Sequence, residues 1–129
     1  MNKVEIIVRM VLGIVFVVFG LDKFLAFVPH GHVMTDELMT AYQGLLANKF
    51  ILPTVGIVEL VTGGILISGR YVIVALTALM PIIFGILAFH FAVDLHGILP
   101  GIGVAALYVY LMAYRRKTFA ELIKQTKEV

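Results

Sequence analysis

Residues 50–69 form a stretch of twenty residues with one charged side chain, Glu59, near its middle. At a rise of about 1.5 Å per residue, this length matches the ~30 Å hydrocarbon core of a bilayer, which predicts a transmembrane helix. An ionised acid at the centre of such a helix costs about 2.5–3.5 kcal/mol. We therefore expect Glu59 to face the interior of a helix bundle, paired or protonated. Gly56 and Gly63 share its helical face and allow a neighbouring backbone to approach.

The composition also indicates an integral membrane protein. Hydrophobic residues make up 61% of the chain, charged residues 14%, and the mean hydropathy is +1.05, values outside the range of ordinary soluble domains. The formal net charge of +2 is too small to suggest nucleic acid binding, and the absence of cysteine excludes disulfides and thiol chemistry.

The 129 residues have room for one domain of about four spanning helices. The predicted fold class is all-α: an antiparallel bundle of four transmembrane helices, with a short amphipathic helix, capped by Thr35, in the first extracytoplasmic loop. The predicted helices cover about 4–24, 50–69, 71–93 and 98–114, and a basic tail covers 115–129. His30 and His32 precede the amphipathic helix without a third ligand nearby, so we interpret them as part of a polar loop and predict no metal site.

The first helix carries a stripe of small, aromatic and basic residues at helical spacing. This stripe is expected to pack inward, with Asp22 roughly opposite. Its members are Arg9, Gly13, Phe16, Gly20 and Lys23. Asp22 and Lys23 lie near the end of the helix, where we interpret them as interfacial anchors.

The distribution of Lys and Arg predicts the topology. If both termini are cytoplasmic, eight of these residues lie on the cytoplasmic side and two, Lys23 and Lys49, lie outside. This asymmetry follows the positive-inside rule.

Three intramembrane polar residues are expected to converge in the outer half of the bundle. Estimated helical depths and side-chain directions bring Glu59, His90 and Tyr108 toward one level, and Asp94 lies one turn beyond His90, where it can orient the imidazole. The alternatives are a structural ion pair between Arg9 and Glu59 that fixes helix register, and a purely structural role for His90.

The order of these features resembles the DoxX family of small four-helix bacterial membrane proteins. The resemblance rests on three motifs: R-x3-G at Arg9 and Gly13, G-x2-K at Gly20 and Lys23, and E-x3-GG-x4-GR from Glu59 through Gly63 and Gly64 to Gly69 and Arg70. It extends over essentially the whole chain. It implies a bacterial inner-membrane subunit associated with redox proteins, in a family linked to quinone-coupled sulfur oxidation and oxidative-stress complexes.

The leading hypothesis is a membrane subunit of a redox complex that binds a quinone or a similar apolar molecule. Glu59, His90 and Tyr108 would supply the hydrogen-bonding groups for the quinone carbonyls, with Asp94 beside them. The expected partners are the lipid bilayer, a soluble redox protein and further copies of the chain. The alternatives are a non-catalytic protein that binds or transports lipid in the same cavity, and a scaffold for a soluble partner.

Overall fold

The computed structural model describes residues 2–26 and 35–127 of the chain. All regular secondary structure in these two segments is helical, and a 3-10 turn at Leu95–Gly97 precedes the fifth α-helix. The α-helices are α1 (Lys3–Leu25), α2 (Asp36–Ala47), α3 (Ile51–Ser68), α4 (Val72–Val93), α5 (Ile98–Tyr114) and α6 (Arg116–Lys127). The predicted all-α bundle, with a short helix between the first two long helices, is therefore confirmed.

In the described part of the chain, four segments are long and apolar enough to cross a membrane. They are α1, α3, α4, and the 3-10 turn together with α5, Leu95–Tyr114. A chain with four such segments is a multi-pass integral membrane protein. Helices α2 and α6 are shorter and lie outside these spans.

The helices begin and end at residues whose chemistry suits those positions. The Asn2 side chain accepts a 2.9 Å hydrogen bond from the Val4 amide at the start of α1, and Thr35 Oγ1 accepts one of 3.1 Å from the Leu38 amide at the start of α2. Both side chains satisfy amides that have no partner within the helix. Gly69, with φ of 77°, ends α3 in the left-handed conformation that glycine adopts without strain.

Helices α1 and α3 pack closely through two glycine pairs. A methyl group at Gly63 would lie 2.7 Å from the Gly13 carbonyl oxygen, and one at Gly20 would lie 2.8 Å from the Gly56 carbonyl oxygen. Both distances are shorter than van der Waals contact, so the backbones meet where side chains are missing. The inward stripe predicted on α1 lies at this interface.

Two ends of the bundle are distinguished below. The arginine end, defined by Arg9, Arg70 and Arg115, is where α1 and α4 begin and where α3 and α5 end. The histidine end, defined by His90 and His96, is where α4 ends and α5 begins.

The apolar core lies mainly in the half of the bundle toward the arginine end. Its buried members are Leu12, Phe16, Leu66, Val72, Ala75, Leu76, Leu79, Ile83, Tyr108 and Leu111. In contrast, none of residues 84–93 of α4 is buried. The half toward the histidine end is therefore less tightly packed around α4.

Candidate ligand-binding site in the transmembrane bundle

Glu59 is fully buried, and it is paired with Lys23. The Lys23 Nζ atom lies 2.5 Å from Glu59 Oε1, and the Glu59 side chain is only 1% exposed. No donor in the described part of the chain makes a hydrogen bond of regular geometry to this oxygen, so the contact is an ion pair held by charge. It neutralises a carboxylate that would otherwise be costly in the hydrocarbon region.

The proposed pairing of Arg9 with Glu59 is therefore wrong, and Lys23 is more than an interfacial anchor. Arg9 and Lys23 share the inward stripe of α1, but they are separated by about 21 Å along the helix. Only Lys23 is at the level of Glu59. The missing side chains of Gly20 and Gly56 bring the two backbones together at this level, within reach of the flexible lysine.

Arg9 instead binds the end of α3. Its Nη1 atom donates hydrogen bonds of 2.5 Å to the Leu66 carbonyl and 3.4 Å to the Ile67 carbonyl. Carbonyls in the last turn of a helix lack intrahelical partners and carry its negative dipole, so a guanidinium is well placed there. The Gly69 backbone packs against this guanidinium, since a methyl group at Gly69 would lie 2.8 Å from Nη1.

A buried carboxylate, Glu5, joins Arg9 to the end of α5. Arg115 Nη2 donates a 2.7 Å hydrogen bond to Glu5 Oε1, and Arg9 Nε lies 3.5 Å from the same oxygen. The cluster links α1, α3 and the α5–α6 junction at the arginine end. The sequence reasoning missed the roles of Glu5 and Arg115, although the i, i+4 spacing of Glu5 and Arg9 was a usable signal.

Tyr108 belongs to the core and not to a site with His90. Its hydroxyl donates a 2.6 Å hydrogen bond to the Leu76 carbonyl, and the residue is 5% exposed. Leu76 lies about 21 Å from His90 along α4, so the expected convergence of Tyr108 with His90 is wrong. Pro81 has no backbone N–H, so the carbonyl of Thr77 lacks its usual donor within α4. The Tyr108 hydroxyl bonds to the carbonyl of Leu76, the residue immediately before Thr77.

His90 and Asp94 form a dyad at the end of α4. His90 Nδ1 lies 3.1 Å from Asp94 Oδ2, and the two side chains are 26% and 4% exposed. The Phe89 ring meets the imidazole edge-on at a centroid distance of 5.8 Å. Gly101 on α5 is buried beside it, and a methyl group there would lie 3.9 Å from His90 Cδ2. This is the orienting contact that the sequence reasoning expected of Asp94.

The dyad has a defined chemical capability. Because Nδ1 is engaged by the carboxylate, Nε2 is the nitrogen that can bind another molecule. The ring can pass a proton between Nε2 and a bound molecule while its Nδ1 stays bonded to Asp94. The Glu59 carboxylate is paired with Lys23, and the Tyr108 hydroxyl is bonded to the Leu76 carbonyl. Of the predicted site, the structure therefore brings together His90 and Asp94.

Among the described residues, no group of three or more His, Asp or Glu side chains is arranged to hold a metal ion. His30 and His32, interpreted from sequence as part of a polar loop, lie outside the described residues.

Taken together, the fold and its polar groups define a multi-pass membrane protein: a four-span helix bundle with buried ion pairs between helices and a histidine–carboxylate dyad at one end. No protein-family model, curated protein or solved structure matches the chain.

Proposed function

We propose that this protein binds the polar head of an apolar molecule dissolved in the bilayer, with a quinone as the ligand, and serves as a membrane subunit of a redox complex. The observation that supports this function is the dyad at the end of α4, where a partly exposed imidazole lies 3.1 Å from a buried carboxylate. It offers a polar group at the edge of a highly apolar helix. Pockets that bind such molecules combine apolar walls with a few oriented polar groups.

The chemistry of the dyad suits a quinone carbonyl. When the ring is protonated, the Nε2–H of His90 donates a hydrogen bond to the carbonyl oxygen, while the Nδ1–H bound to Asp94 fixes the orientation of the ring. Reduction of a quinone to a quinol takes two electrons and two protons. The dyad would deliver one proton to the carbonyl oxygen that it binds, and water at the membrane surface would supply the other to the second carbonyl oxygen. The electrons would come from a soluble redox protein that docks on the bundle.

The surroundings of the dyad leave apolar surface for the ligand ring. Ile86, Leu87 and Phe89, on the same segment of α4, are only partly buried. The tightly packed core lies toward the arginine end. An apolar molecule can therefore approach His90 from the bilayer without disrupting the packing of that core. A flat ring against Phe89 would also benefit from aromatic contact.

The orientation and compartment form part of the same proposal. The arginine end carries eight cationic side chains against two elsewhere, which favours a cytoplasmic arginine end and an outward-facing dyad. The eight are Lys3, Arg9, Arg70, Arg115, Arg116, Lys117, Lys124 and Lys127. A bacterial inner membrane, both termini in the cytoplasm and a place in the DoxX family are consistent with this arrangement.

The experiment is mass spectrometry of small molecules extracted from the protein purified in its own lipids. We compare the unmodified protein with His90→Gln and with the matched control His96→Gln, since His96 is exposed on the neighbouring 3-10 turn. Loss of a hydrogen bond from a charge-assisted donor costs about 1.5–3 kcal/mol, so His90→Gln should weaken the affinity for quinone roughly ten-fold or more and lower the amount of quinone that copurifies.

Equal quinone occupancy in all three proteins would remove the dyad from the site. A phospholipid retained in place of quinone, and lost in His90→Gln, would favour the lipid-binding alternative over the redox function. No molecule enriched in the unmodified protein would contradict both and leave the scaffold interpretation.

A further inference from the structure

Helix α6 begins where a membrane span ends. The last candidate span finishes at Tyr114, and Arg115 alone separates it from the first residue of α6. Arg115 is held by its 2.7 Å hydrogen bond to Glu5 at the start of α1. The beginning of α6 is therefore fixed at the level where the bundle leaves the hydrocarbon core.

The two sides of α6 differ strongly in polarity. At 100° per residue, Phe119, Leu122 and Ile123 fall within one arc of about 100°. A neighbouring arc of similar width carries only small or cationic residues: Arg116, Lys117, Ala120, Lys124 and Lys127. Ile123 lies at the boundary between the two arcs.

The bundle covers only part of the apolar arc. Phe119 packs against the core, but Leu122 and Ile123 remain 47% and 61% exposed. A groove between α6 and α4 is lined by Thr118, Glu121, Leu122 and Gln125 on one side and by Ile73 on the other. The exposed apolar edge needs another apolar medium, and the bilayer begins at the same level.

We propose that α6 lies on the surface of the bilayer and binds anionic phospholipid headgroups through its cationic arc. An apolar edge flanked by long cationic side chains is the pattern of interfacial helices, in which the aliphatic stems cover the lipid and the charges reach the headgroups. Lys3 and Arg70 are also exposed at this end. Of the acids described there, Glu5 is paired with Arg115 and only Glu121 is exposed. The charge therefore favours an anionic surface.

The sequence supplies a clean way to test the proposal, because the chain contains no cysteine. A single Ile123→Cys substitution carries a nitroxide label whose accessibility to water-soluble and lipid-soluble relaxing agents reports its depth. The labelled full-length protein is placed in nanodiscs of phosphatidylcholine alone or with a quarter phosphatidylglycerol. We expect the label to be protected from the water-soluble agent in the anionic discs and more accessible in the neutral discs.

A charge variant with a matched control identifies the interaction. Each Lys near an anionic surface contributes about 1 kcal/mol, so Lys124→Gln should lower the ratio of bound to unbound α6 about five-fold in anionic discs. Lys49→Gln, at the histidine end, removes the same charge and should change nothing. Both positions are exposed, and circular dichroism checks that each variant keeps its helices.

Four outcomes would overturn the proposal. A label equally accessible to the water-soluble agent in both discs would mean that α6 stays in water. Equal protection in both would mean that the apolar edge alone holds the helix. Protection induced in neutral discs by inorganic phosphate would point to a free anion site, and protection seen only when a protein copurifies would point to a protein partner.

Discussion

Replacing Gly63 by alanine tests the close packing of α1 against α3, and Gly64 provides a matched control in the same helix. The new methyl group at position 63 would lie 2.7 Å from the Gly13 carbonyl oxygen, 2.8 Å from Val17 Cγ2 and 2.9 Å from the Val17 amide nitrogen. At position 64 it would meet no atom within 4 Å. The two substitutions add the same group one residue apart.

The magnitude follows from these distances. Ordinary contacts between non-bonded heavy atoms lie near 3.5–4.0 Å, so α1 and α3 must separate by roughly 0.7 Å or more at this point. Two of the three contacted atoms belong to the backbone and cannot rotate away. Overpacking of this kind costs about 1–3 kcal/mol. Both alanines gain about 0.8–1.0 kcal/mol of helix propensity, which cancels in the comparison.

The assay is reversible unfolding in mixed detergent micelles, followed by circular dichroism as the fraction of sodium dodecyl sulfate increases. We expect the free energy of unfolding of Gly63→Ala to be about 1–3 kcal/mol lower than that of Gly64→Ala. Equal stability of the two variants would refute the close approach of α1 and α3, and with it the register that brings Lys23 to Glu59.

Two further predictions use the same unfolding assay, and a third uses amide hydrogen exchange. Lys23→Gln leaves the buried Glu59 carboxylate without its partner and should lower the free energy of unfolding by about 3–5 kcal/mol. Adding Glu59→Gln to this variant should recover part of the lost stability. If the effects of the two substitutions were independent and additive, they would contradict the ion pair. Tyr108→Phe removes the hydrogen bond to Leu76 and should lower the free energy of unfolding by about 0.5–1.5 kcal/mol. The control Tyr110→Phe keeps its ring stacked on Tyr114 and should leave stability unchanged. A larger loss of stability in Tyr110→Phe than in Tyr108→Phe would show that the Tyr108 hydroxyl makes no such hydrogen bond. Glu5→Gln should destabilise the protein and free the beginning of α6, detected as faster amide hydrogen exchange at residues 116–120; unchanged exchange there would separate α6 from the cluster at the arginine end.

Several features of the fold follow directly from the sequence because the bilayer imposes them. Lipid offers no hydrogen-bonding partner to the backbone N–H and C=O groups, so an apolar spanning segment satisfies them within a helix of about twenty residues. Hydropathy and length therefore locate the spans. The inward face of α1 was also predictable, since Gly13 and Gly20 recur at helical spacing beside Phe16. Gly56 and Gly63 supplied the corresponding face of α3.

The partners of the polar groups were harder to predict. Arg9 and Lys23 lie on the same stripe, and the choice between them depends on the register of two antiparallel helices, which local patterns do not determine. The estimated depth of Tyr108 predicted that it lies at the level of Glu59 and His90. In the structure its hydroxyl binds the Leu76 carbonyl, which is closer to the arginine end than His90. Asp94 and His90 were predictable as a pair because Asp94 directly follows α4, the helix that carries His90, and residues four apart at a helix end lie close together.

The pairing of α1 with α3 has a consequence for biosynthesis. Helices α1 and α3 precede α4 and α5 in the chain, and their glycine faces and the Lys23–Glu59 ion pair need no residue beyond Ile67. The two spans can therefore associate, with their opposite charges matched, while α4 and α5 are still being synthesised. The hydrogen bond of Glu5 forms later, because its partner Arg115 lies 110 residues further along the chain. That contact joins the first turn of α1 to the residue that follows α5, so it forms only after the four described spans have been synthesised.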